Sequence, residues 1–304
     1  MFSHDLLKKR ILIFGANGML GQRVLHLLSG FGNYELLASS SEPEPFFLGI
    51  EYQQVDFTQR EQVKNIILNF YPDVIINAAA YTNVDKAESD RELCWKINVM
   101  GIEYIAEAAR VVDCHIVHIS TDYVFDGTKG PYSEIDIPNP FGYYARTKLA
   151  SENALKISGT SNTILRTNVL YGIIKTGRAD FVRWVVDSVR QKKPIRIVTD
   201  QINNPTFLDD LAWAIHRVFE KKKFGLYHIG GREVLSRYDF TLRIADFFHL
   251  DKSLITPTLT HELQQAAPRP LKSGLITIKA ESEFGFKPSN IEESFEKMKQ
   301  ELAL

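Results

Sequence analysis

Apolar residues in this chain come in short bursts with regular interruptions. The runs at 10–14, 34–38, 52–55, 73–77, 116–119 and 162–166 have strand length, and all but 52–55 carry at least two Ile, Leu or Val residues. Between them lie longer stretches whose apolar positions recur three and four residues apart. These predict helices from after Gly21 through Leu28, from Thr58 to about Tyr71, from about Val84 to Val112, and over the segment carrying Tyr144 and Lys148. Thr58 with Glu61 three residues on reads as a capping box. Strands alternating with helices imply right-handed crossovers and a parallel sheet with a ligand at the carboxyl ends of its strands. The fold class is therefore α/β, a Rossmann-type doubly wound parallel sheet. Residues 1–165, with contributions from 195–230, form the dinucleotide-binding domain. Later elements are shorter and loops cluster: helices over 178–191 (opening at Arg178), 207–219, 236–248 and from 290, with a strand over 225–229. Residues 166–304 are expected mainly as a smaller substrate-binding lobe.

Composition changes this picture little. A net charge of −1 over 304 residues gives no reason to expect nucleic acid or an anionic membrane as the main partner. The basic clusters at 8–10 and 221–223 are short and read as solvated. Two cysteines, Cys94 and Cys114, are too few for a disulfide framework and read as buried thiols, which fits a cytoplasmic protein. The first apolar run is broken by Gly15, Asn17 and Gly18, so it is neither a signal-peptide core nor a membrane span. No His, Cys or Asp cluster has metal-ligand spacing. A Mg²⁺ held by a diphosphate or by carboxylates shared between subunits would leave no trace in sequence. A homodimer is likewise compatible with the chain and not encoded in these patterns.

Candidate chemistry falls at the predicted strand ends. Gly15-Ala-Asn17-Gly18-Met19-Leu20-Gly21 joins the first strand to the first helix. Glycines there let main chain approach a pyrophosphate, and the helix N-terminus supplies N–H groups; a plain tight turn is the competing reading. The second strand ends in Ser39-Ser40-Ser41, with no acid before Glu42. Serines tolerate a 2′-phosphate and Arg23 is within reach of one, which leans towards NADPH over NADH. Asp56 is placed either to contact the adenine or to cap the next helix. Ala78, Ala79 and Ala80 let a flat cofactor lie close. Asn98 is a polar residue inside the long helix, either satisfied in the core or bonded to a neighbouring strand. After 116–119 come Ser120, Thr121 and Asp122, and then Tyr144 and Lys148, four residues apart on one helix face. A lysine near a phenol lowers its pKa, making Tyr144 a proton donor to a carbonyl oxygen that Thr121 holds. Alone, the Tyr-x-x-x-Lys spacing also fits a solvated helix face.

Taken together these residues resemble the extended short-chain dehydrogenase/reductase family, and within it the dTDP-4-dehydrorhamnose reductase branch. The resemblance rests on the Gly15 loop, the run from Asn77 to Glu88, Ser120-Thr-Asp-Tyr-Val-Phe-Asp-Gly127, Pro131-Tyr-Ser-Glu134, Tyr144 to Lys148, Asp200-Gln through Pro205-Thr206, and Arg269-Pro270 to Leu275. It implies NAD(P)H-dependent reduction of the 4-keto group of a dTDP-linked 6-deoxyhexose. It makes Thr121, Tyr144 and Lys148 catalytic, with Lys148 on the nicotinamide ribose. It lines the cofactor with Gly15, Asn17, Gly18, Met19, Leu20, Gly21, Ser39, Asp56, Phe57, Ala78, Ala79 and Ala80. Asp85 and Tyr123 would face the sugar and Arg269 the diphosphate. Three positions depart from the family pattern: Val169 where tryptophan is usual, Asn204 for glycine and Lys272 for asparagine. They put the identity of the sugar in question, so another nucleotide-linked keto sugar stays open as the substrate. A dehydratase would carry Asp-Glu where Asp122-Tyr123 stands. The chain also resembles the non-catalytic regulatory subunit of methionine adenosyltransferase, which shares many of these motifs.

Overall fold

The computed structural model describes residues 8–177 and 179–302. Strands β1 (Lys9–Phe14), β2 (Tyr34–Ser40), β3 (Glu51–Gln54), β4 (Val74–Asn77), β5 (His115–Thr121) and β6 (Asn162–Thr167) join the strand Gly225–Ile229 in one seven-stranded sheet. Its spatial order is Gly225–Ile229, β6, β5, β4, β1, β2, β3, and every neighbouring pair is parallel. The helices are α1 (Met19–Ser29), α2 (Arg60–Phe70), α3 (Arg91–Trp95), α4 (Gly101–Val112), α5 (Tyr143–Ile157), α6 (Phe181–Arg190), α7 (Leu208–Glu220), α8 (Arg237–Phe247), α9 (Ile278–Phe284) and α10 (Ile291–Leu302).

Strand periodicity explains the layering. Ile11 and Ile13 point to one face with α1, α7 and α9, whereas Leu12 and Phe14 point to the other with α2 and α4. Both faces are covered, which is why β1 reads as a continuous apolar run. A third core, away from the sheet, is built by α6, α8 and α10 around Tyr171, Phe240 and Phe295. Strand order reverses between β1 and β4, so the crevice of a doubly wound sheet opens there.

Several expectations are revised. The long helix from Val84 is a 3₁₀ turn (Lys86–Glu88), then α3, a π turn (Lys96–Met100) and α4. The π turn carries Asn98. Its Oδ1 accepts from Tyr81 N at 2.8 Å and its Nδ2 donates to Thr147 Oγ1 at 2.9 Å, tying the segment after β4 to α5. The capping box at Thr58 does not form. Helix α2 starts at Arg60, and Asp56 instead accepts from the amide and hydroxyl of Thr58 at 2.9 and 2.8 Å. The helix expected over 178–191 starts at Phe181, with Asp180 capping the Arg183 amide; Arg178 lies outside the described residues. Two paired strands, Ile195–Val198 and Ile255–Thr258, and helix α9 have no clear periodic signal. Among the described residues, no helix is long and apolar enough to cross a membrane.

A buried ion pair pins α5 to the sheet. Arg166 on β6 donates Nε and Nη2 to the two carboxylate oxygens of Glu152 on α5 at 2.8 and 2.7 Å. Ser120 on β5 adds a third bond at 2.6 Å, and neither charged residue is more than 1% exposed. Arg166→Met leaves this carboxylate buried without its fork. The expected cost is about 3–5 kcal/mol of unfolding free energy, read from urea denaturation; a loss below about 1 kcal/mol would mean that α5 is held by other contacts.

Candidate active site

The turn after β1 makes the first half of the site. Gly15 has φ +76°, and a Cβ there would lie 2.5 Å from the main-chain nitrogen of Ala79. The loop can therefore rest directly on residues 78–79 only because residue 15 has no side chain. Gly15 and Gly18 line a groove of about 310 Å³ with residues 39–42, 55–58 and 78–80. At one wall the Ser39 hydroxyl is fully buried and has no hydrogen-bond partner among the described residues. A cradle that a Cβ would fill, an orphaned hydroxyl and the first-turn N–H groups of α1 fit a nicotinamide dinucleotide.

Not every expected cofactor residue contributes in the way anticipated. Leu20 is in the core and Met19 packs against it, and neither lines the groove. The Asn17 amide is occupied, donating to Glu44 O at 2.9 Å and accepting from Phe46 N at 2.8 Å, and it anchors the loop after β2. Phe57 is a largely buried wall residue, edge-on to Phe14 at 5.3 Å. Asp56 lies on the groove, but its carboxylate closes a turn at Thr58 ahead of α2 and does not cap the helix, whose N-cap is Gln59. Arg23 is not at the groove rim. It is ion-paired with Asp209 and Glu301 and only 10% of its side chain is exposed. In its place, the rim carries Glu42, which accepts from Ser40 Oγ at 2.6 Å. Burial would raise the Glu42 pKa, but hydrogen bonds from Ser40 and Asn17 outweigh it and hold the carboxyl below its ordinary value.

The second half of the site sits where β5 meets α5. Thr121 ends β5; Tyr144 and Lys148 lie one turn apart near the start of α5. Lys148 is 2% exposed; its Nζ donates to Ile119 O at 2.7 Å and lies 3.3 Å from His118 Nε2. Burial pushes the Lys148 pKa down to about 8. The expectation that Lys148 acidifies Tyr144 is not met. Burial, then Asp122 and Tyr123, push the phenol above its ordinary value, with the neighbouring Thr121 hydroxyl acting the other way. The lysine's nearest acceptor is a β5 carbonyl, so its charge is not spent on the phenol. Asp122 is buried behind them, its carboxyl pushed up to about 7 by burial against hydrogen bonds from Ser273 and Thr121. Thr121 donates to Asp122 Oδ1 at 3.1 Å and accepts from Tyr123 N at 3.2 Å, and the Tyr123 ring stands edge-on to Tyr144 at 6.2 Å.

Opposite lies the loop that begins at Ala267. The expected substrate residues Asp85 and Arg269 are bonded to each other. Arg269 Nη2 donates to Asp85 Oδ2 at 2.7 Å, and Asp85 Oδ1 accepts from Ala267 N at 3.0 Å. Asp85 is thus first a clamp on this loop. Ser273 extends the clamp by donating to Asp122 Oδ2 at 2.5 Å. Arg237, overlooked in sequence, opens α8. Its guanidinium stacks on Phe181 at 4.3 Å and has no carboxylate partner among the described residues. Burial lowers its pKa, and it feels the charges of Tyr123, Arg269 and Asp122. Its only sequence cue was the position after Ser236, the α8 cap. Of the three departures, Asn204 is buried and bridges Gly231 O, Leu275 O and Asn168, a packing role. Lys272 is exposed and Val169 partly so. No group of three or more His, Cys, Asp or Glu residues among the described residues could hold a metal ion.

The same architecture recurs in known proteins. The family model for the RmlD substrate binding domain matches residues 9–304. A dTDP-4-dehydrorhamnose reductase of Aggregatibacter actinomycetemcomitans is 36% identical over 293 residues, covering 92% of this chain and 95% of that protein. The crystal structure of a dTDP-4-dehydrorhamnose reductase from Bacillus anthracis in complex with NADP superposes with a TM-score of 0.86 at 31% identity, covering 97% of this chain and 99% of the other. The methionine adenosyltransferase 2 subunit beta of Xenopus tropicalis is 33% identical over 279 residues, covering 90% of this chain and 82% of that one. By sequence along nearly its whole length, and by fold, the chain belongs to the RmlD branch of the extended short-chain dehydrogenase/reductase family.

Proposed function

We propose that this protein is an NAD(P)H-dependent reductase of the 4-keto group of a dTDP-linked 6-deoxyhexose, forming dTDP-L-rhamnose, with Tyr144 as proton donor. The observation that supports this reading is that Thr121, at the end of β5 on the strand next to β4, lies against Tyr144, with the buried Lys148 one turn along α5, in a chain whose relatives include dTDP-4-dehydrorhamnose reductases. Hydride is what the bound nicotinamide supplies. The chain's part is position and the proton. A phenol with a raised pKa stays protonated at neutral pH and is still far more acidic than an alcohol, so Tyr144 can protonate an alkoxide as it forms. Thr121 can turn its hydroxyl from Asp122 to that oxygen. Lys148 supplies a buried cation beside the coenzyme. Arg237 and Arg269 bring two guanidinium groups to one side of the cleft, suited to a diphosphate, while Asp85 and Tyr123 border the sugar.

A second reading, a regulatory subunit of a partner enzyme, is favoured by the similarity to methionine adenosyltransferase 2 subunit beta. The deciding experiment follows nicotinamide absorbance with purified protein, NADH or NADPH, and dTDP-4-keto-6-deoxy-L-lyxo-hexose generated in situ. Oxidation with no partner protein present supports the reductase. Coenzyme binding without oxidation of any keto sugar in a panel supports the regulatory subunit.

Tyr144→Phe is expected to keep coenzyme affinity and lose at least about a hundredfold in kcat, because only the donor hydroxyl is removed. Near-normal turnover would remove Tyr144 from its role. Lys148 is a cation only below its lowered pKa of about 8. Coenzyme affinity, measured by fluorescence titration, should therefore fall as pH rises through that value, and Lys148→Met should bind weakly with no such step. For coenzyme choice, a carboxylate at the groove rim and an occupied Arg23 favour a ribose 2′-hydroxyl over a 2′-phosphate. Glu42→Gln should raise NADPH affinity relative to NADH by about tenfold; an unchanged ratio would place Glu42 away from the ribose.

A further inference from the structure

A chain of buried side chains runs from the coenzyme groove to the catalytic helix. It starts at the Ala79 amide, in the segment on which Gly15 rests, and ends at the Lys148 carbonyl. Ala79 N donates to Asn77 Oδ1 at 3.1 Å; Asn77 Nδ2 lies 3.1 Å from His118 Nδ1; His118 Nε2 lies 3.0 Å from Ser151 Oγ; Ser151 Oγ donates to Lys148 O at 2.7 Å. Asn77, His118, Lys148 and Ser151 are all at most 2% exposed, so water does not enter the accounting. Asn77 and His118 are register partners across β4 and β5.

The two ends decide the direction of every bond. A main-chain N–H can only donate, so Asn77 turns its carbonyl oxygen to Ala79 and its NH₂ to the histidine. His118 Nδ1 therefore accepts, and the neutral ring carries its proton on Nε2. At the other end a main-chain carbonyl can only accept, so the Ser151 hydroxyl donates to Lys148 O and its oxygen receives the Nε2–H. The opposite tautomer would set an N–H against an NH₂ or leave the Ala79 amide unpaired. One consequence concerns Lys148. Its Nζ is 3.3 Å from Nε2, but that nitrogen offers a proton and no lone pair, so the lysine donates to Ile119 O. An imidazolium has no place here either, since Nδ1 would lose its acceptor role beside the buried Lys148. Burial and the lysine charge both hold the His118 pKa well below its ordinary value.

We propose that His118, fixed as the neutral Nε2–H tautomer by Asn77, is a positioning residue that sets Lys148 relative to the coenzyme wall at Ala79. The link between its geometry and turnover rests on the reductase reading; the tautomer and the coupling to coenzyme binding do not.

Nitrogen-15 NMR of histidine-labelled protein tests the tautomer. His118 should show a protonated Nε2 and a bare Nδ1, unchanged from about pH 5.5 to about pH 8. An Nδ1–H form, or titration in that window, overturns the proposal. His118→Gln keeps an acceptor and a donor and should hold NADH affinity and kcat within about threefold. His118→Phe fills the space without polar atoms and should weaken both by about tenfold. Wild-type values in the Phe variant, or equal losses in Gln and Phe, overturn the role. If the Phe variant does not fold, Ser151→Ala, which cuts only the last link, should lower coenzyme affinity about threefold at unchanged thermal stability, and unchanged affinity overturns it. NMR and coenzyme titration need no sugar substrate, so a failure of the proposed reaction is read separately.

Discussion

The distance between two pieces of main chain governs this molecule. At the switch point of the sheet, the turn after β1 rests on residues 78–79 after β4, and no Cβ fits between them at residue 15. That closeness places the start of α1, the ends of β2 and β4 and the Ala79 amide around one groove. Strand β5 lies next to β4, so Thr121 comes to the same edge. A shift of one residue in any of these parallel registers would turn the polar ends of the strands into the core.

Polar groups buried behind the site do the rest of the positioning. Helix α5 carries Tyr144 and Lys148, and it is held from three directions. Glu152 bonds Arg166 and Ser120, Thr147 bonds Asn98 in the π turn, and Ser151 bonds His118. Each of these groups is costly to bury alone and tolerable only when paired. The helix can therefore neither slide nor roll without orphaning several groups at once. Such a helix keeps two side chains in place without help from substrate.

On the substrate side the arrangement is looser and electrostatic. Asp85 and Arg269 hold the loop from Ala267 together, Ser273 ties it to Asp122, and Arg237 adds a cation with no carboxylate partner among the described residues. Two guanidinium groups, one of them bonded to Asp85, stand near Asp122, whose carboxyl burial pushes up to about 7. Three residues differ from the usual family pattern: Val169, Asn204 and Lys272. Of these, Asn204 fills a structural position, bonded to Gly231 O, Leu275 O and Asn168.

Most of the sheet was legible in the sequence, because parallel strands buried on both faces are written as unbroken apolar runs and their helices as a 3.6-residue period. The turn at Gly15, the ends of β4 and β5, and the pair Tyr144 and Lys148 were legible for the same local reason: glycine spacing and helical spacing are properties of adjacent residues. The π turn at Asn98 was not, since it depends on partners at Tyr81 and Thr147. Nor was the fate of the charges. Arg23, free by its position in sequence, is consumed by Asp209 and Glu301; Asp85 is consumed by Arg269; Lys148 turns to a strand carbonyl and leaves Tyr144 to be governed by burial. The sequence by itself determined which groups line the edge of the sheet. Only the tertiary structure decided which of them are spoken for and which face the cleft, because the partner of a charge and the water it loses are set by segments far away along the chain.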